Sequence, residues 1–92
     1  MSTPRLTVRL FAEVMEEKLR QNDYKGGWGN TAPGDLLLRL EQEAQELRDA
    51  IEMCDASAIR REAADVANFA MMVADVCGGL SEHDAGGKEK GR

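Results

Sequence analysis

Four acidic residues carry spacing that can do chemistry: Glu43 with Glu46, and Glu62 with Asp65, each pair three residues apart. On a helix that interval brings both carboxylates to one side, one turn apart. An ionised carboxylate held away from water is costly unless a cation compensates it, and two adjacent ones sharpen the problem. If the two pairs lie on neighbouring packed helices, four carboxylates face one another. That is an oxygen donor set suited to Mg²⁺ or Mn²⁺.

The elements that must position these acids are legible from apolar periodicity. A first helix is expected from about Pro4 to Gln21, with Leu6, Leu10, Val14 and Leu19 at helical spacing and Pro4 in the first turn. The segment Asn22 to Gly34 is rich in glycine and reads as a loop around Trp28. Asp35 is the expected cap of a second helix running to about Met53, with Leu36, Leu37, Leu40, Ala44, Leu47 and Ile51 on one stripe. Ser57 is the expected cap of a third helix over Ala58 to Cys77, which Gly78 and Gly79 stop.

At about 100° per residue, Glu43 falls at the edge of the second helix's stripe, between Leu36 and Ala50, with Glu46 one turn on. Arg39, Glu41, Gln45, Arg48 and Asp49 read as ordinary solvated positions. The third helix is apolar in nearly every direction, so its acids have fewer places to meet water. Glu62 projects between Phe69 and Val73, and Asp65 between Met72 and Val76. The competing reading pairs these acids with Arg39, Arg60 and Arg61 on a solvated face; two pairs on neighbouring helices, one of them largely apolar, favour the metal.

Composition bounds the rest. The chain has 92 residues and four aromatic side chains, Phe11, Phe69, Tyr24 and Trp28, so aliphatic residues, alanines and five methionines must supply the packing. Such a small chain buries only about 60–65% of its unfolded surface, which makes self-association a route to a sufficient core. A net charge of −5 argues against a general nucleic-acid surface. No apolar run approaches the roughly 20 residues that span a bilayer, and no signal-peptide pattern is present, so a cytoplasmic protein is expected. Cys54 and Cys77 show no zinc spacing and read as reduced thiols. Residues 81–92, glycine-rich and charged, read as a flexible tail containing the lone His83.

These residues resemble the all-α nucleoside triphosphate pyrophosphohydrolases of the MazG-like kind. Their mark is ExxE on one helix and ExxD on the next, read here as Glu43-Ala-Gln-Glu46 before Leu47 and Glu62-Ala-Ala-Asp65 before Val66. The resemblance covers roughly Phe11 to Gly78. Lys25-Gly-Gly-Trp28 and the run from Arg61 to Ala70 look especially like small phage-type and mobile-element members. Many members read EExxE, whereas here Gln42 takes the second place and the extra acid is displaced to Glu41. The resemblance implies that Glu43, Glu46, Glu62 and Asp65 bind Mg²⁺, and that the enzyme cleaves between the α- and β-phosphates to give a nucleoside monophosphate and pyrophosphate. One of the four acids, Glu46 among them, could serve as general base.

Other residues have weaker claims. Trp28 could stack on a base or cap the core. Lys25 and Lys18 could meet phosphate or stay solvated. Asn68, one turn beyond Asp65, could contact sugar, phosphate or water, or form a helix-to-helix hydrogen bond. Met71 and Met72 read as core filler.

The expected architecture is all-α: a domain over residues 1–80 with three main helices, completed as a bundle by a homodimer or homotetramer with sites near the subunit interface. The expected function is Mg²⁺-dependent hydrolysis of nucleoside triphosphates in nucleotide-pool cleaning. Two competitors are a non-catalytic helical interaction module, and the phosphoribosyl-ATP pyrophosphohydrolase of histidine synthesis.

Overall fold

The computed structural model describes residues 3–80, and these are helical without strands. Helix α1 spans Leu6–Gln21, α2 spans Pro33–Glu52 and α3 spans Ala56–Val76, with a 3₁₀ turn at Asp23–Lys25. Helix α3 is the centre of the arrangement: α2 packs along it as an antiparallel hairpin, and α1 packs on it from another side. The expected tail, with His83, lies outside the described residues.

The helix boundaries follow local chemistry, sometimes at a residue other than the expected one. Helix α1 starts after Pro4, with Arg5 in extended conformation at its cap, so Pro4 leads into the helix instead of standing in its first turn. Helix α2 begins earlier than expected. Pro33 takes its first position, where a missing N–H costs nothing, and Ala32 precedes it as an extended cap. Gly34 is therefore helical, and Asp35 stands in the first turn, where its charge suits the helix's positive end, but does not cap. Asp55, not Ser57, caps α3, its Oδ1 accepting from the Ala58 N–H at 3.1 Å. Ser57 is already inside the helix and accepts from Arg61 at 2.7 Å.

Both C-termini close with the same motif. At the end of α3 the Gly79 N–H donates to Ala74 O at 2.8 Å and the Gly78 N–H to Asp75 O at 3.0 Å, with Gly78 left-handed at φ +87°. At the end of α2 the Asp55 N–H donates to Ala50 O at 3.3 Å and the Cys54 N–H to Ile51 O at 3.0 Å. There the left-handed residue is Cys54, at φ +55°. This sharp closure leaves only Met53, Cys54 and Asp55 between the helices and sets the hairpin's register.

Burial is sparse. Among the described residues, the buried apolar ones are Leu36, Ala50 and Ala64, and the buried polar one is Asn68. The face of α1 toward α3 carries Phe11, Met15, Lys18 and Leu19, whereas Leu6 and Leu10 of the expected stripe are more than half exposed, at 59% and 52%. On α2, Leu37, Ala44 and Ile51 of the expected stripe are likewise exposed. Helix α3, expected to be covered on most sides, is mostly half-buried. Cys54 and Cys77 are free thiols, both exposed. No helix among the described residues is long and apolar enough to cross a membrane.

Candidate metal and anion site

The hairpin register sets Arg39 opposite Phe69 and Glu43 opposite Glu62 and Asp65. Oxygens of Glu43, Glu62 and Asp65 lie within 4.8 Å of one another, contributed by both helices. Glu43 Oε1 and Glu62 Oε1 are buried without a hydrogen-bond partner among the described residues. Burial, then the charges of Glu46, Asp65 and Glu62, push the Glu43 carboxyl up to about 7. Glu62 is raised too, by burial first and then by Glu46 and Asp65. Glu46 is exposed and stands outside the three-oxygen cluster, yet its charge acts on both other glutamates.

Two cations approach the acids without neutralising them fully. Lys18 reaches across from α1 to Asp65 at 3.5 Å, both side chains about a fifth exposed (19% and 20%). Arg39, one turn before Glu43, meets it at 3.8 Å while its guanidinium lies 5.0 Å above the Phe69 ring. Three carboxylates against two cations leave negative charge to be met. Hard oxygen donors with two unsatisfied atoms are the set that a divalent cation such as Mg²⁺ satisfies.

The cluster opens into a cleft of about 530 Å³ between α1, the glycine loop and the α2·α3 pair, with Lys18, Lys25, Trp28, Arg39, Glu43, Asp65 and Asn68 among its lining residues. Trp28 does not sit loosely in its loop: its indole N–H donates to Asp75 Oδ2 at 2.9 Å, tying the loop to the far end of α3. Lys25 lies 5.8 Å over the Tyr24 ring on the same rim. Asn68 is 3% exposed and its Nδ2 donates to Met15 O at 3.0 Å. A carbonyl only accepts, so this bond orients the amide and leaves Oδ1 buried beside the cleft with no hydrogen-bond partner among the described residues. The helix-to-helix bond and a free acceptor thus coexist in one side chain.

All the residues singled out from sequence except Glu46 fall in the cleft or its acidic cluster. Arg39, a solvated position by its spacing, joins the site; the signal that marks it is its place one turn before Glu43, on the same flank. Asp75 could not be found that way, because its partner lies 47 residues away.

No family model matches the chain, and no solved structure does. Over 62 residues, 67% of this chain and 67% of the other, it is 37% identical to a protein of Archaeoglobus fulgidus described as uncharacterized. That likeness, across two thirds of both chains, means that the chain belongs to the same family as this archaeal protein.

Proposed function

We propose that the protein is a Mg²⁺-dependent nucleoside triphosphate pyrophosphohydrolase of the MazG-like kind. It would act in the cytoplasm on a deoxynucleoside or modified nucleoside triphosphate, as a homo-oligomer, in nucleotide-pool cleaning. The observation that carries this reading is the meeting of Glu43, Glu62 and Asp65 within 4.8 Å at the end of a cleft that also holds lysine and arginine. Glu43, Glu62 and Asp65 would hold the ion, which supplies neutralisation of phosphate oxygens and acidification of water.

The chain's own side chains divide the remaining work. Lys18, Lys25 and Arg39 offer charge-assisted donors to the phosphate oxygens that project away from the acids. Trp28, which lines the cleft, would stack on a base. The free Oδ1 of Asn68 accepts from a sugar hydroxyl or a base N–H. Exposed Glu46, whose charge acts on both other glutamates, would take the proton as water attacks the α-phosphorus and pyrophosphate leaves.

The test is pyrophosphate release by the purified protein with Mg²⁺ from a panel of canonical, deoxy and modified nucleoside triphosphates. At least one substrate should turn over, and Glu62→Gln should abolish that turnover. No release from any of them would sink the proposal, and turnover of phosphoribosyl-ATP alone would move it to that hydrolase.

A further inference from the structure

Lys18 is the least firmly held of the charged groups around the acidic cluster. Its ammonium stands 3.5 Å from Asp65 Oδ2, beyond the roughly 2.7–2.9 Å of a charge-assisted hydrogen bond, and this is its one ion pair among the described residues. An ammonium carries three donors on a flexible four-carbon stem, so charge holds it there while donors are left over. Arg39, the other cation, is fixed differently. It reaches Glu43 from one turn earlier on the same helix, and its flat guanidinium lies over the Phe69 ring.

The surroundings give the Lys18 side chain room to turn. It lines two cavities at once, the cleft and an open groove of about 520 Å³ that α1 shares with Arg60 and Arg61 of α3. The backbone that carries it is held separately: one turn earlier, Met15 O accepts from Asn68 Nδ2 at 3.0 Å, which ties α1 to α3 wherever the ammonium goes. Its partner Asp65 is one of the three acids whose oxygens meet within 4.8 Å, where Glu43 Oε1 and Glu62 Oε1 lie buried without a hydrogen-bond partner among the described residues. A divalent cation on those oxygens would stand within about 5 Å of the ammonium, where like charges in a partly enclosed site repel strongly. The two cations therefore compete for Asp65. A polyphosphate in the cleft offers Lys18 the opposite charge on its other side.

Given the proposed role of Glu43, Glu62 and Asp65 as cation ligands, we infer that Lys18 is a built-in counter-ion that changes partners. Its ammonium neutralises Asp65 while the cleft is empty and turns to phosphate oxygens when a divalent cation and a polyphosphate are bound together. A cation alone displaces Lys18 with nothing to receive it. A polyphosphate alone meets a lysine already engaged and three carboxylates that repel it. Each ligand thus favours the other, by the same factor in both directions, and the site stays lightly loaded in free cation.

Calorimetry of Mn²⁺ binding to the full chain tests the exchange, with and without inorganic triphosphate, which carries the phosphates and neither sugar nor base. In wild type the triphosphate should tighten Mn²⁺ binding after correction for the complex the two form in solution. Lys18→Met keeps an unbranched stem and should bind Mn²⁺ alone about tenfold more tightly than wild type, losing about tenfold of the coupling. Lys18→Arg, which returns the charge, should return the wild-type Mn²⁺ affinity. Lys25→Met removes a cation that lines the same cleft beside Tyr24, away from Asp65, and should leave the affinity for Mn²⁺ alone unchanged. Unchanged Mn²⁺ affinity in Lys18→Met, coupling as large as in wild type, or equal tightening in Lys25→Met would overturn the exchange and leave the metal site standing. Absence of Mn²⁺ binding in every protein, with and without triphosphate, would overturn the metal site and the exchange together.

Discussion

Glu43 is a carboxyl whose place in the fold works against its own charge. Its pKa of about 7 means that the folded chain holds a proton there which the unfolded chain, with an ordinary value of 4.5, has already released. Between those two values the native state binds more protons, so stability falls as pH rises through that window and is regained as pH falls back through it. The cation-free protein should therefore melt higher at about pH 5.5 than at about pH 8, the reverse of a salt-bridged acid. Glu43→Gln, which keeps the shape and removes the ionisation, should stabilise the cation-free protein at about pH 8 by about 1 kcal/mol after allowance for solvent screening. If the acids bind Mg²⁺ as proposed, millimolar Mg²⁺ should stabilise wild type by mass action, and the same substitution should lose that stabilisation. A melting curve for each protein, with and without Mg²⁺, reads both effects. The acids themselves were legible in the sequence, because a three-residue interval on an apolar helix leaves carboxylates few solvated directions. The inequality among them was not. Glu46 differs from Glu43 only in how far it stands from α3, and that follows from helix packing instead of spacing.

At the scale of the elements, the joint between α2 and α3 decides whether Glu43 meets Glu62 at all. Two residues hold it, and they should respond in opposite directions. Cys54 occupies a left-handed position that costs a residue with a Cβ about 1 kcal/mol, so Cys54→Gly should raise stability by up to that amount in a denaturant titration. Asp55→Ala should cost about 1 kcal/mol, because the Ala58 N–H loses its acceptor, whereas Ser57→Ala should change little. Helix existence was plain from periodicity, and every long helix forms where the apolar rows run. The caps were harder. Asp35, Ser57 and Asp55 are all good cap residues, and choosing among them requires knowing where the backbone leaves the helical region; Pro33 settles that at one joint and the closure at Cys54 at the other.

For the whole molecule, the small number of buried side chains links stability to assembly. If two hairpins complete one core, unfolding is a dissociation, and the melting temperature should rise with protein concentration. Wild type scanned over a hundredfold dilution series should show that shift. An unchanged melting temperature across the series would place the whole stability within one chain. The rows read from sequence on α1 and α2 come with the expectation that self-association completes the core, and in the single chain Leu6, Leu37 and Ile51 of those rows are exposed. Periodicity reports that a face is apolar and is silent on what covers it.

Trp28 is the chain's single tryptophan, and its indole N–H is committed to a carboxylate at the end of α3 while its ring lines the cleft. The protein therefore carries its own optical probe at the mouth of the site. Its emission is sensitive to the charge beside the indole and to any ring or ion that enters the cleft. Occupancy can be followed by fluorescence in unlabelled protein, and Asp75→Asn gives the reference spectrum in which the carboxylate's charge is gone and the loop is otherwise intact.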